Sequence, residues 1–163
     1  MKATRLVLAF MAAISLTGCK DTQSPSGVVK TAGAALQKND AQTFYSVLAG
    51  PAAQQFGNAE GMQYLQDRLA VFEKIKISKE KLVSETERSR IYELVISGKA
   101  DGVTTPIINT GVTCEESEHY QPGYNECTTV ILPGGGQSQV CHWVPGKWVT
   151  IKDCKITQIS VLF

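Results

Sequence analysis

Gly61–Ser78 reads GMQYLQDRLAVFEKIKIS, and the fold turns on the change of rhythm inside it. Met62, Leu65, Leu69 and Phe72 recur at helical spacing, with Gln66, Asp67 and Arg68 on the opposite side. That is the pattern of an amphipathic helix laid on a core. From Lys74 onward the apolar residues fall at every second position, Ile75 and Ile77 alternating with Lys76 and Ser78. Side chains alternate between faces along a strand, whereas a helix returns to the same face only every ~3.6 residues. The stretch therefore ends a helical region and begins a sheet.

Working back from it, Ser24-Pro25 suits an N-cap followed by a first helical residue. Val28, Val29, Ala32 and Leu36 then mark a helix to about Lys38. Asn39-Asp40 breaks it, and Asp40 can cap a second helix carrying Phe44, Val47 and Leu48. Gly50-Pro51 ends that one, and Pro51 starts a further turn through Phe56 before Gly57-Asn58 interrupts again.

Working forward, Leu82-Val83 extends the first strand and Thr86–Ser89 is turn-like. Ile91–Ile96 (IYELVI) is the strongest strand, and Asp101-Gly102 is a hairpin signal. Val103–Val112 returns, with Pro106 requiring an edge or a bulge because it has no N–H for the ladder. Glu115–Glu126 reads as a polar excursion. Short strands follow at Thr128–Leu132, Gln139–Val144, Trp148–Ile151 and Ile156–Phe163, with Pro133–Gly136 and Pro145–Lys147 as turns. Helices grouped ahead of a mainly antiparallel sheet give an α+β fold with the helices on one face.

The N-terminus has a different character. Lys2 and Arg5 precede Leu6–Leu16 (LVLAFMAAISL), an apolar run too short to span a bilayer, for which about 20 residues are needed. A basic segment before a short apolar one is the pattern of an export signal. Leu16-Thr17-Gly18-Cys19 follows, and it resembles the lipobox of bacterial lipoproteins. The resemblance implies cleavage before Cys19, diacylglycerol on its sulfur and an acyl group on the new amine. Residues 1–18 are then a signal peptide, 19–26 a lipid anchor and polar tether, and 27–163 a single α+β domain. Two or more acyl chains hold a protein stably where one does not. Lys20, rather than Asp, after the lipidated Cys implies the periplasmic face of the outer membrane under the enterobacterial sorting code.

Charge and cysteine count follow from that division. The whole chain of 163 residues has 16 basic and 15 acidic residues, a net of +1. Residues 1–18 hold two of the basic residues and none of the acidic ones, so the remainder carries a net charge of −1. No basic surplus is left to hold a nucleic acid. The chain has 5 cysteines. With Cys19 assigned to lipid, Cys114, Cys127, Cys141 and Cys154 are an even set, expected to form disulfides in an exported protein. Cys114 lies as far from Cys127 as Cys141 does from Cys154, which favours 114–127 and 141–154 as two local loops pinning an irregular C-terminal third. Zinc-ligand spacing is absent.

A second resemblance lies in SPSGVVKTAGAALQKNDAQTFYSVL. Pro25, Val28-Val29, Ala35-Leu36, Asp40-Ala41 and Leu48, with the Gly146-Lys147-Trp148 turn, are similar to small bacterial lipoproteins of nuclear transport factor 2-like, cystatin-like fold. That family implies helices and a curved sheet enclosing a conical pocket, used for catalysis or for plain binding. The cysteine-bearing stretch from Cys114 to Gln139 and the tail after Cys154 depart from its plan.

Catalytic signatures are sparse. His119 and His142 are the only histidines, and no G-x-S-x-G, H-E-x-x-H or phosphate-loop motif occurs. Gly134–Gly136 suits a hairpin turn. Glu115, Glu116, Glu118 and His119 form an acidic cluster expected to be a solvated loop. Lys74, Lys76, Lys79 and Lys81 give the first strand a solvated basic flank, and Trp143 and Trp148 are expected in the sheet or a pocket wall. No metal or cofactor is implied. The expectation is a non-catalytic binding or adaptor module, attached to the membrane through Cys19 and facing a periplasmic protein partner. The alternatives are an inhibitor or immunity lipoprotein and, further off, a small cone-pocket enzyme.

Overall fold

The computed structural model describes residues 21–163; the export segment and Cys19 lie outside the described residues. The helices stand where their caps place them. In α1 (Pro25–Lys38), Ser24 Oγ accepts from the Gly27 amide at 3.0 Å, and Asn39 closes the other end in the left-handed region. Asp40 Oδ1 accepts from the Thr43 amide at 3.0 Å to start α2 (Ala41–Ser46). After α3 (Gly50–Phe56), Asn58 Oδ1 takes the Gly61 amide at 2.8 Å to open α4 (Ala59–Leu69). Phe72 lies past the end of α4, but it is buried as its helical spacing suggested.

The strands of the described residues follow: β1 (Lys74–Glu85), β2 (Ser89–Ala100), β3 (Val103–Gln121), β4 (Tyr124–Ile131), β5 (Gln137–Val144) and β6 (Lys147–Val161). One sheet has the order β1-β2-β3-β6, and β4 and β5 pair with each other. β1 with β2 and β2 with β3 are antiparallel. Asp101 and Gly102 both take positive φ, 50° and 82°, which a tight hairpin between right-twisted strands requires. The register slips where Ile96 faces Ile108 but Ser97 faces Pro106. Proline thus sits at a bulge, and the extra residue Ile107 turns into the core at 1% exposure.

The α+β class holds, with four helices among the described residues ahead of a mainly antiparallel sheet. The chain divides into two compact units, one reaching to Glu115 and including Lys152–Phe163, the other Glu116–Ile151. In the first, Val28, Phe44, Val47 and Leu65 from the helices pack with Leu94, Ile107, Val112 and Ile156 from the sheet. Burying each such side chain fully is worth roughly 1.5–3 kcal/mol. The sheet's end is tied to the helices by a parallel bridge, where Ala49 donates to the Ile156 carbonyl and Ile156 to that of Val47, both at 2.9 Å. Of the polar tether, Thr22 is already engaged, its carbonyl accepting from the Cys154 amide at 2.6 Å.

Three expectations are corrected. Glu115–Glu126 is no excursion: β3 continues through it to Gln121 and β4 resumes at Tyr124. Trp148–Ile151 and Ile156–Phe163 are stretches of one strand, β6. The disulfides join Cys114 to Cys154 and Cys127 to Cys141, nested rather than side by side. Their cause is shared. The chain beyond Cys114 runs out along β3 and β4, turns at Gly134-Gly135 and returns along β5 and β6, so equal spacing on the two limbs puts like-placed cysteines opposite each other.

Candidate functional site

Among the described residues, two places stand out as surfaces for a ligand. The first is a groove of about 600 Å³ in the first unit, lined among others by Phe56, Glu60, Tyr64, Ser160 and Val161. Its floor is set by close packing of α3 and α4. A Cβ on Gly61 would stand 2.6 Å from the Gln55 carbonyl oxygen, so only glycine permits that approach. Phe56 and Tyr64 stack at 6.5 Å, and the Arg68 guanidinium lies over Tyr64, 5.3 Å from the ring centre. Asn58 spends its carboxamide oxygen on the α4 cap, and Glu60 is the carboxylate among the groove's lining residues.

The second is the ribbon of the second unit. Tyr124 faces Val144, Glu126 faces His142, Cys127 faces Cys141 and Ile131 faces Gln137 in unbroken antiparallel register. At its lower end the rings of Tyr120 and Trp148 meet at 5.5 Å. Each step along the outgoing limb is matched by one step back on the return, from Tyr120–Trp148 through Tyr124–Val144 to Cys127–Cys141. Gly134 and Gly135 make the turn at φ 110° and 88°, so the glycine run is the hairpin turn expected of it.

No residue of Glu116–Ile151 is buried. A two-stranded ribbon has no second layer to cover either face, so its side chains stay in solvent. The consequence is an accumulation of exposed apolar groups: Tyr120, Tyr124, Ile131, Leu132, Val140, Trp143 and Trp148, with Ile131 at 76% and Trp148 at 69%. More than half of the large hydrophobic side chains left exposed among the described residues lie here. Such concentrations mark interaction sites. The tryptophans, expected inside the sheet or a pocket wall, are therefore corrected to surface groups.

The remaining candidates disperse. His119 is exposed on β3, and His142 pairs with Glu126 at 3.1 Å on the ribbon's surface. Glu115, Glu118 and His119 are exposed and Glu116 is half-exposed, all along one strand. Among the described residues no three His, Cys, Asp or Glu side chains gather as a metal site would need. Lys74, Lys76, Lys79 and Lys81 project from β1, an edge strand, in keeping with the solvated flank expected and with charge as a guard against edge pairing. Met62 and Leu65 are core residues, as their stripe implied. The sequence marked the upper part of the ribbon, in strands Thr128–Leu132 and Gln139–Val144 about the Pro133–Gly136 turn, but missed its continuation through Glu115–Glu126. Its signal was the equal cysteine spacing about a central glycine run, which is a hairpin's mirror symmetry. Among known proteins, no family model, no curated protein and no solved structure matches the chain.

Proposed function

We propose that the protein is an envelope-anchored bacterial lipoprotein acting as a non-catalytic binding or adaptor module. It is held through Cys19 at the periplasmic face of the outer membrane and meets its partner with the ribbon of the second unit. The observation that carries this reading is the exposure of that ribbon's aromatic and aliphatic side chains while every cysteine in the described chain is committed to a disulfide. Aromatic residues on a covalently pinned scaffold lose little freedom on binding, which is what contact surfaces favour. The first unit we read as a nuclear transport factor 2-like scaffold, supported by capped helices that precede an antiparallel sheet.

A second reading, an inhibitor or immunity lipoprotein, draws on the loop closed by Cys127 and Cys141, whose tip is exposed. Site-specific photo-crosslinkers in the full chain test both readings in the native envelope. Crosslinkers at Tyr124 and Trp143 should yield discrete adducts, and one at Tyr64 none. Adducts from Tyr64 alone would place the contact in the groove and overturn the reading. An adduct with one stoichiometric enzyme or toxin would select the inhibitor. Acyl labelling that persists after Cys19→Ala would remove the anchor.

A further inference from the structure

We propose that the lobe closed by Cys127 and Cys141 is a bilayer-interface element, whose Ile131-Leu132-Pro133 tip enters the interfacial region of a lipid membrane. This rests on the reading of the ribbon as the contact surface and names what the tip contacts.

Charge along the ribbon is the first argument. Between Cys127 and Cys141 the chain reads TTVILPGGGQSQV, with no ionisable side chain. The nearest charged groups, Glu126 and His142, face each other immediately below the disulfide. The tip lies four residues beyond Cys127, about 14 Å along an extended strand. A lobe of that length and neutrality meets no cost of bringing a charge into the interface, where the price of an ion rises steeply. The ribbon below it carries Glu116, Glu118 and Glu126 against Lys147, so neutral lipid suits it better than anionic lipid.

The second argument is the distribution of apolar groups between the faces. Ile131 lies on the same face as Cys127 and Cys141, whereas Val130 and Val140 lie on the other, by the alternation of a strand. A protein groove covers one face of a ribbon. A fluid that surrounds the tip satisfies both. A second copy paired through the open edge of β4 or β5 would leave both faces in water. The outer edges of the two strands set a limit, because unpaired peptide groups do not enter hydrocarbon. The insertion is therefore confined to the turn, whose glycines have no side chains and whose amides stay within reach of interfacial water.

The third is the root of the ribbon. The Thr22 carbonyl accepts from the Cys154 amide, and Cys154 is bonded to Cys114. Two residues separate Thr22 from Cys19 in the sequence, so an acyl anchor there is tied within about 11 Å of Thr22. With Cys19 acylated, Cys114 and Cys154, from which the chain runs into and out of the ribbon, are tied close to the bilayer.

The test places a single fluorescent probe at the tip. Ile131→Trp is made in the full chain with Trp143→Phe and Trp148→Phe, and mixed with excess phosphatidylcholine vesicles carrying brominated acyl chains. The excess lets the chain meet lipid with or without its anchor, and the mass of the N-terminal peptide reports acylation separately. Tip emission should shift to the blue and fall at least twofold relative to plain vesicles, and Leu132→Asp should abolish both changes. Far-ultraviolet circular dichroism and the thiol titre confirm that each variant is folded and bridged. Equal emission in brominated and plain vesicles overturns the proposal. Loss of emission shift combined with a protein crosslink from Tyr124 would leave the ribbon as a contact surface for protein instead.

Discussion

Cys114 and Cys154 are bonded across 40 residues of chain, and the whole second unit lies between them. Both are buried in the first unit's core, at 1% and 0% exposure. The Cys127–Cys141 bond spans 14 residues within a ribbon that buries nothing.

The two bonds should therefore act differently on stability. In the chain-entropy model, loops of these lengths contribute about 4 and about 3 kcal/mol, respectively. Only the outer bond constrains the unit whose unfolding exposes a core. Cys114→Ser with Cys154→Ser should lower the urea midpoint substantially, while Cys127→Ser with Cys141→Ser should leave that midpoint nearly unchanged. Peptide mapping without reductant should recover Cys114 with Cys154 and Cys127 with Cys141. Recovery of Cys114 with Cys127 would contradict the nested arrangement.

Gly98 has no room for a side chain. A Cβ there would stand 2.6 Å from the Phe72 ring and 2.9 Å from Ile107 Cδ1. Phe72 in turn meets Phe163 edge-on at 5.2 Å. Gly98→Ala should destabilise by ~1–3 kcal/mol through overpacking, measured by urea unfolding. A smaller side chain in place of Phe72 should reduce the penalty of Gly98→Ala in a double-mutant cycle.

Core and ribbon substitutions should separate cleanly. Leu94 is 0% exposed, and Leu94→Ala should cost ~2–5 kcal/mol. Trp143→Ala and Trp148→Ala remove side chains that are 61% and 69% exposed, and each should change stability by less than about 0.5 kcal/mol. The same two changes should weaken the crosslink from Tyr124. Large destabilisation by either would mean the rings are structural.

Helix order, caps and the point where the sheet begins were legible because each rests on local chemistry. Ser24 and Asp40 accept the amides their positions imply, and Asp101-Gly102 turns the chain where a positive φ is needed. Beyond Cys114 the turn glycines and the strands beside them were still legible, but between Cys114 and Glu126 the local signals fail for a physical reason. An apolar period arises when one face of a strand is buried, and the end of β3 and the start of β4 bury neither, so Glu115–Glu126 looked like a loop. The fusion of two short strands into β6 was hidden by Lys152, Asp153 and Lys155, which interrupt the apolar run around a cysteine that is buried. Disulfide connectivity depends on the return path of the chain, and spacing alone pointed to the wrong partners. The candidate surface was legible as residues, Trp143 and Trp148 among them, but not as exposed.

The most direct measurement of whether the ribbon is the contact surface is hydroxyl-radical footprinting of the full chain in its native envelope and after purification. Trp143, Trp148 and Tyr124 should oxidise rapidly in the purified chain and be protected several-fold in the envelope, with Tyr64 equal in both. Equal oxidation of the two tryptophans in the two states, or protection confined to Tyr64, would contradict the account.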